Sequence, residues 1–333
     1  MIINVPPKTL KASPLSDTPE VQMGVAGYYK FVLKNRDGSI AQVVDWFPNL
    51  ITDLGMSRIV NYDGGITSWG AYLAIGSSAT TPTFADTVMG AQLGTRTDVT
   101  TSTSAVVYDS YMYRRYTHRY IEGNGTGTIR EVGYFSASTG GVMFSHALLV
   151  DGSGTPTSIV KDADQSLDVY YELRNYPKLS DSTGTFDLSG TAYNYTFRPL
   201  NLNPADIFGS ANWTVNSIEK CSASFNNYSA YTGGGLGART ANAPTGTFLN
   251  PSLFYDTSHA ANTYAYAKGS YYTDNQIQCG IDAWHGTITV VTFVTGNCQW
   301  QCLYSKVSGG GGIVKTNEDR LRLKIRLTVA RHA

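Results

Sequence analysis

The chain has 333 residues, enough for two domains of ordinary size, and its formal net charge at pH 7 is +0. Without a basic excess, nucleic-acid binding as the main role is disfavoured. Only 15% of the residues are charged, while 34 glycines and 23 tyrosines favour short strands and polar turns over helices.

The first residues show neither a signal peptide nor regular periodicity. The segment MIINVPPKTLKASPLSD lacks an apolar core of signal-peptide length, and the most apolar later run, Ile288 to Val294, is too short to span a bilayer. We therefore expect synthesis in the cytoplasm and no membrane partner. The prolines within residues 1–20 predict an extended arm. The sequence leaves open whether this arm is a disordered terminus or orders against a neighbouring subunit.

The next residues predict a β-hairpin followed by a short helix. Tyr28 to Phe47 forms two apolar arms around Arg36-Asp37-Gly38, and Asp-Gly is a strong signal for a hairpin turn. Asn49 is the predicted N-cap of a helix over LITDLGMSRIV. Tyr72 to Ile75 then predicts a short buried strand.

Four short motifs follow one another between Trp46 and Leu93. They are Trp46-x-x-Asn49-Leu50-Ile51-x-x-x-Gly55, Ile75-Gly76-Ser77, Thr81-Pro82-Thr83 and Asp86-Thr87-Val88-Met89. This series resembles the opening domain of a large group of tailed-bacteriophage virion proteins from tails, necks and fibres. The resemblance covers roughly residues 25 to 175. It implies a structural protein of the virion, and it does not indicate a position within the particle.

From Val99 onward the pattern is almost wholly β. Ser104 to Tyr120 interleaves tyrosine and arginine, which can stack on bases or sugars or form cross-strand pairs on a half-exposed sheet face. His146 lies within an apolar strand and is interpreted as a core histidine with satisfied hydrogen bonds. Residues 159–174 alternate apolar and polar side chains and predict an amphipathic strand. The linker-like segment from Asn175 to Thr185 predicts the domain boundary.

The second half repeats these strand and turn signals. A low-apolar stretch from Cys221 to Gly246 predicts an exposed loop. The later strand candidates are Thr263–Tyr272, Gln276–Trp284, Thr287–Thr295 and Gln299–Val307. The predicted fold class is mainly β, with an extended arm over residues 1–20, two tandem β-sandwich-like domains over residues 21–178 and 179–333, and a few short helices.

One segment near the end of each half has a similar sequence. Ile159-Val160-Lys161 matches Ile313-Val314-Lys315, and the same offset of 154 aligns Leu167 with Leu321. Both segments follow a glycine-rich turn and end a predicted domain. The match suggests two related β-domains in tandem, although a common strand pattern could produce it by chance.

The outward faces of these two strands carry opposite charges. Asp168 and Glu172 lie on the first, whereas Arg322, Lys324 and Arg326 lie on the second. One interpretation is ordinary solvated charge. The alternative is that the two faces meet across subunits and set their register, which makes these five residues candidate interface residues.

The four cysteines lie between Cys221 and Cys302 and permit three interpretations. The expected cytoplasmic origin favours free thiols, while one disulfide or a zinc site stays open. Cys298 and Cys302 on one strand would be roughly 13 Å apart, beyond disulfide reach.

The sequence predicts no catalytic, cofactor or metal site. It lacks a Gly-x-Ser-x-Gly elbow, and its five histidines do not have metal-ligand spacing. The cluster around Trp284 and His285, with Tyr271 and Tyr272 nearby, is the candidate contact for a receptor or glycan.

These observations predict a non-enzymatic structural component of a tailed-phage virion, assembled in the host cytoplasm. The expected place is the tail or neck, as a collar, tail accessory or fibre-attachment protein. Expected partners are copies of the chain itself and other virion proteins. The alternatives are a receptor-binding or lectin-like host-recognition protein that contacts a host surface glycan, and a capsid decoration protein.

Overall fold

The computed structural model describes residues 8–11, 18–60, 72–107, 110–199, 226–232, 253–254, 260–263, 266–267, 269–281, 286–295 and 298–332. These residues form a mainly β protein, which confirms the predicted fold class. Within the described ranges there is one α-helix, Asp53–Val60 (α1), where a few short helices were predicted. No helix in this part of the chain is both long and apolar enough to cross a membrane.

The strands of the first half run up to Pro177. Their bounds are β1 Lys8–Lys11, β2 Glu20–Lys34, β3 Ile40–Pro48, β4 Leu50–Ile51, β5 Tyr72–Gly76, β6 Gln92–Val107, β7 Tyr111–Tyr120, β8 Gly127–Ile129, β9 Glu131–Phe135, β10 Met143–Leu148, β11 Ile159–Lys161 and β12 Ser166–Pro177.

The strands of the second half begin at Ser182. Their bounds are β13 Ser182–Leu188, β14 Thr191–Pro199, β15 Asn226–Thr232, β16 Leu253–Phe254, β17 Ala260–Thr263, β18 Tyr272–Cys279, β19 Gly286–Thr295, β20 Cys298–Lys306, β21 Ile313–Lys315 and β22 Asp319–Arg331. The predicted strands at 287–295 and 299–307 are confirmed. The prediction for 263–272 is wrong, since the strand there begins at Tyr272.

Contacts divide the described residues into two compact units. The N-terminal unit lies within residues 24–107, 111–176 and 330–333, and the C-terminal unit within 1–23, 108–110 and 177–329. The chain passes from one unit to the other after Tyr176, two residues before the predicted end of the first domain. The division is not linear, however, because residues from both chain ends belong to the unit of the opposite half. That either unit is a β-sandwich stays a prediction.

The N-terminal unit contains a sheet with the strand order β3-β2-β12-β7-β6-β5-β9-β10-β4. Strand β12 lies between β2 and β7, and its side chains alternate about the sheet. One side of the sheet packs an aromatic core. Its members are Tyr29, Phe31, Phe47, Tyr116, Tyr134, Phe144 and Tyr171. The predicted hairpin is confirmed as β2 and β3, with Gly38 at φ 84° in its turn.

Helix α1 begins later than the sequence predicts. Thr52, and not Asn49, is the N-cap, because the Thr52 hydroxyl accepts a hydrogen bond of 2.9 Å from the Gly55 N–H. The pairing of β4 with β10 keeps the chain extended through Ile51. Asn49 instead packs its side chain against Gly27. The predicted cap is therefore wrong because a strand pairing competes with it.

Gly55 lies where α1 touches β10, and a Cβ atom there would overlap the carbonyl oxygen of Phe144. We expect Gly55→Ala to lower the free energy of unfolding by about 1–3 kcal/mol, since backbone must shift to make room. Urea denaturation measures the change. Gly152→Ala is the control, because a Cβ there meets no atom within 4 Å. Equal stability of the two variants would contradict the predicted overlap.

The C-terminal unit contains two sets of paired strands. One has the order β13-β14-β20-β19-β15-β16, with β21 beside β19, and the other has β17-β18-β22. Strand β1 pairs with β22 in parallel, from Lys8 opposite Asp319 to Lys11 opposite Arg322. These four residues of the predicted arm therefore form a strand on their own chain, and not on a neighbouring subunit. Residues 1–7 and 12–17 of the arm lie outside the described residues.

The cysteine prediction can be followed at two positions, Cys298 and Cys302. Cys298 and Cys302 both lie on β20, opposite Thr295 and Val291. They are four positions apart on a single extended strand, which keeps them beyond disulfide reach as the sequence predicts. Cys302 is a free, buried thiol, and burial raises its pKa. Cys221 lies outside the described residues.

The similar segments of the two halves, β11 and β21, form antiparallel strand pairs of the same kind. Strand β11 pairs with β8 so that Ile159 lies opposite Ile129, and β21 pairs with β19 so that Ile313 lies opposite Ile288. In both cases the partner strand has the sequence Gly-Thr-Ile, and its glycine lies opposite a lysine. The sequence alone identified β11 and β21 as similar segments, but it did not identify β8 and β19 as their matching partners.

The turns after these strands also agree. The Asp162 N–H donates to the Gln165 side chain over 2.9 Å, and the Thr316 N–H donates to the Asp319 side chain over 3.0 Å. Each turn leads into the long strand that ends the unit's sequence, β12 or β22. The two units thus share a strand pair, a turn and a closing strand in the same order.

Candidate docking face

The side of the N-terminal sheet opposite its aromatic core carries a set of aromatic and arginine side chains that are half-buried, except for the exposed Arg119. We call it the tyrosine–arginine face. Alternation along β2, β3, β7 and β12 places these residues on one side of the sheet. Its members are Tyr28, Trp46, Tyr111, Tyr113, Arg115, Arg119, Tyr170, Arg174 and Tyr176.

Glu172 lies at the centre of this face and is almost fully buried. It lies directly opposite Arg115 in the β12–β7 pairing and accepts hydrogen bonds of 2.9 and 2.6 Å from that guanidinium. Arg174 donates a third, of 2.7 Å, from Nε. Such charge-assisted bonds are shorter and stronger than neutral ones. One carboxylate therefore fixes two guanidinium groups.

The same two guanidinium groups lie against aromatic rings. Arg115 is 4.7 Å from the centre of the Trp46 ring, and Arg174 is 3.9 Å from that of Tyr28 and 4.5 Å from that of Tyr111. These distances are typical of cation–π interactions. The face is thus held in a defined arrangement before anything binds to it.

Asp168 occupies an equivalent position on the same side of β12, four residues before Glu172. Arg119 donates to it from Nε over 2.6 Å and from Nη2 over 2.9 Å, and Lys34 donates over 2.8 Å. Burial alone would raise the pKa of Asp168, but the hydrogen bonds and charges of Arg119 and Lys34 outweigh it and hold this pKa below its usual value. Asp168 is therefore ionised and fully engaged within the unit.

These contacts show that the prediction of an acidic, outward-facing side of β12 is wrong. Asp168 and Glu172 are 2% and 1% exposed, so they are neither solvated nor presented to another subunit. The reason is that β12 is a central strand, and long cationic side chains from β2 and β7 fold over its short carboxylates. The proposed acid-to-base contact between subunits therefore loses its acidic half.

The basic residues of β22 also have partners within their own unit. Arg326 donates to Asp274 on β18 over 2.7 and 2.9 Å, and Lys324 approaches the same carboxylate at 2.8 Å. The pKa of Asp274 is lowered, because the bonds and charges of these two cations outweigh burial. Arg322 lies opposite Gln278 and is half-buried. Its role at a subunit interface stays a prediction.

The candidate glycan contacts are not brought together as one site. The Tyr272 ring lies beneath Arg326, 3.7 Å from its guanidinium carbon. Tyr271 has φ 53°, and its carbonyl accepts a hydrogen bond of 2.8 Å from the Val329 N–H. Trp284 and His285 lie outside the described residues. Asp274 was missed, because the predicted strands placed it in a gap between 272 and 276.

Glu172→Gln is expected to lower the free energy of unfolding by about 1–3 kcal/mol. The amide keeps the shape but removes the charge that holds Arg115 and Arg174, and the partial exposure of both guanidinium groups limits the loss. Urea denaturation at pH 7 measures it. The matched control is Glu318→Gln on an exposed turn. An unchanged transition in Glu172→Gln would show that the carboxylate contributes no net stability.

A second polar cluster lies beneath the loop formed by residues 77–91. His146 on β10 contacts Asp86 through Nδ1 at 2.6 Å and Glu131 through Nε2 at 3.0 Å. We call these three residues the His146 cluster. Glu131 is fully buried and also accepts bonds from the N–H groups of Ala91 and Gly90, over 2.7 and 3.1 Å.

The charges of the His146 cluster follow from this geometry. Burial would lower the pKa of His146, but bonds to the two carboxylates outweigh it and raise that pKa. For Glu131 and Asp86 burial acts in the raising direction, and their hydrogen bonds outweigh it and lower both pKa values. The imidazolium thus donates from both nitrogens. The interpretation of His146 as a satisfied core histidine is confirmed, but its two acidic partners were missed.

A cleft of about 330 Å³ also lies in the N-terminal unit. Its lining residues are Val25, Ala26, Asn49, Leu50, Ile51, Phe84, Arg331 and His332. Arg331 donates to the Ile51 carbonyl over 2.8 Å and to Asp53 over 2.6 Å, and it lies 4.0 Å above the Phe84 ring. The guanidinium is therefore already engaged within the chain.

Within the described residues, no group of three or more histidine, cysteine or acidic side chains could hold a metal ion. Compared with known proteins, the chain matches no protein-family model, no curated protein and no solved structure.

Proposed function

We propose that this chain is a non-enzymatic structural component of a tailed-phage virion that assembles through the surfaces of its β units. The proposed place is the tail or neck, as a collar, tail accessory or fibre-attachment protein. Its proposed partners are copies of itself and other virion proteins, joined in the host cytoplasm.

The tyrosine–arginine face is the observation that carries this proposal. Tyrosine, tryptophan and arginine are the residues that most often dominate binding energy at protein interfaces. Here Glu172 and Asp168 already hold the arginines in place, so a partner would meet side chains whose freedom is largely lost. Prior ordering of this kind lowers the entropic cost of association.

The motif residues support the same proposal because they build the scaffold of the unit that carries this face. Gly55 allows α1 to touch β10, and Asp86 belongs to the His146 cluster. Gly76 leaves room for the carboxylate of Glu131. The resemblance to virion proteins therefore rests on positions with structural tasks, as a shared scaffold with variable surfaces would require.

The test removes two aromatic side chains of the face, Trp46 and Tyr170, and keeps every residue of its ion pairs. In Trp46→Ala/Tyr170→Ala we expect loss of self-association by light scattering and loss of the chain from purified particles, with circular dichroism unchanged. Ile121→Ala is the control, since this side chain is 64% exposed and outside the face. A folded double variant that assembles and enters particles like the wild type would refute assembly through this face.

A second candidate function is recognition of a host surface glycan. The specific observation in its favour is that Trp46 and Tyr170, with ring centres 6.3 Å apart, lie beside Arg115 on a half-exposed face. Aromatic rings can stack on sugars, and the guanidinium can donate to hydroxyl groups. Binding of the purified chain to a glycan array, abolished in the same double variant, would favour this function over assembly.

A further inference from the structure

The two units carry the same cross-strand ion pair with its charges exchanged. In the N-terminal unit Glu172 on β12 lies opposite Arg115 on β7. In the C-terminal unit Arg326 on β22 lies opposite Asp274 on β18. Each pair is close, with Arg115 at 2.6 Å from Glu172 and Arg326 at 2.7 Å from Asp274.

The register shows that the two pairs occupy equivalent positions. Strand β12 begins its pairing with Leu167 opposite Tyr120, and β22 begins its antiparallel pairing with Leu321 opposite Cys279. Glu172 and Arg326 each lie five residues after that leucine. The strands β12 and β22 also follow the equivalent turns described above, so the comparison does not depend on the choice of alignment.

The apolar residues of the two closing strands do not distinguish them. Leu167, Val169, Tyr171 and Leu173 on β12 are matched on β22 by Leu321, Leu323, Ile325 and Leu327, and all eight are buried. Either strand could therefore offer an apolar side to either partner. Hydrophobic patterning fixes the register of each strand, but it does not decide which of two similarly patterned strands a given partner takes.

The charged residues do distinguish them. If β22 took the place of β12 beside β7, Arg326 would face Arg115, and Arg322 would face Arg119 at the position now filled by Asp168. If β12 took the place of β22 beside β18, Glu172 would face Asp274. Like charges directly opposite each other destabilise an antiparallel pair, and burial increases the penalty.

We infer that the exchanged ion pairs determine which closing strand joins which unit. They disfavour pairing of β22 with β7 and of β12 with β18, both within one chain and between two copies of this chain. This strand selection acts during folding and assembly, and it does not require the proposed function.

The test gives both units the same charge arrangement while keeping each native pair complementary. In D274R/R326D the arginine lies on β18 and the acid on β22, as in the N-terminal unit, and Lys324 stays beside an acid. After dilution from urea at micromolar concentration, we expect wrongly paired or exchanged chains to increase roughly fivefold to tenfold. Size-exclusion chromatography and near-ultraviolet circular dichroism measure the fraction that regains the wild-type state.

Two further variants separate strand selection from a general effect of charge reversal. R115D/E172R/D274R/R326D restores opposite arrangements in the two units and should lower the wrongly paired fraction again relative to D274R/R326D, even though Arg174 loses its carboxylate partner. K30D/D45K reverses an exposed pair of 2.8 Å between β2 and β3 and should refold normally. Wild-type refolding of D274R/R326D would overturn the inference.

A neutral variant covers the case in which D274R/R326D gives no native protein. E172Q/D274N removes the acid from both pairs and so weakens the distinction without reversing any charge. We expect it, too, to increase wrongly paired chains, by comparison with E172Q or D274N alone. Equal recovery in the double and single variants would likewise overturn the inference.

Discussion

Replacing Glu131 with alanine is expected to lower the free energy of unfolding by about 3–5 kcal/mol, as removal of one partner from a buried ion pair does. The substitution leaves the His146 imidazolium with one carboxylate, at Asp86. It also leaves the N–H groups of Ala91 and Gly90 without their acceptor. Because the bonds from Gly90 and Ala91 are only partly buried, most of the expected loss comes from breaking the buried Glu131–His146 pair.

Urea denaturation at pH 6 measures this loss, with Glu122→Ala as the control at an exposed position. In Glu131→Ala, amide hydrogen exchange should become faster than in the wild type at Ala91 and Gly90. The increase there should exceed any increase at the paired amides of β9. A transition shifted no more than that of the control would mean that the His146 cluster does not hold the loop of residues 77–91. In that case Asp86 in the Asp-Thr-x-Met motif would need another explanation.

The two polar clusters of the N-terminal unit, the His146 cluster and the tyrosine–arginine face, have different roles. The His146 cluster buries His146 and Glu131 beneath its own loop and leaves only Asp86 partly exposed, and it stabilises the scaffold. The tyrosine–arginine face uses the same chemistry, buried carboxylates that hold cations, but leaves its rings half-exposed. The proposed assembly would need both, because a contact surface is effective only when its support is rigid.

Local sequence signals predicted the strands well where periodicity and turn residues agree. The alternation of residues 159–174 and the Asp-Gly turn before Ser39 each correspond to observed elements. The same signals could not show that both sides of β12 are buried. That depends on the neighbours β2 and β7, which come from distant parts of the sequence.

The wrong N-cap and the missed partners of His146 also result from contacts between distant parts of the sequence. Asn49 has the residue type of an N-cap, but pairing of β4 with β10 delays the helix to Thr52. The acidic partners of His146 lie 60 and 15 residues away, and no local pattern links them. One signal was available in the sequence: a second Gly-Thr-Ile, which marks the partner of each Ile-Val-Lys strand.

Two buried histidines are expected to give opposite dependences of stability on pH. Burial lowers the pKa of His118 to about 4, and hydrogen bonding to Thr97 and the charge of Asp98 oppose this only in part. The folded state therefore resists protonation, and the stability contribution of His118 is present above pH 6.5 and lost as pH falls towards 4. His146 has a raised pKa, so its contribution is present below pH 6.5 and lost as pH rises through the folded-state value.

Free energies of unfolding measured by urea between pH 4.5 and 8.5 should separate the two effects. Between pH 6.5 and 4.5 the wild type should lose about 2–3 kcal/mol that His118→Phe does not lose, at about 1.4 kcal/mol per pH unit for one proton. Above pH 6.5 the wild type should lose stability that His146→Gln does not. Comparing each variant with the wild type cancels the other titrating groups. If the His118→Phe profile runs parallel to that of the wild type below pH 6.5, then His118 accepts its proton in the folded state. If the His146→Gln profile runs parallel to that of the wild type above pH 6.5, then the two carboxylates do not hold an imidazolium.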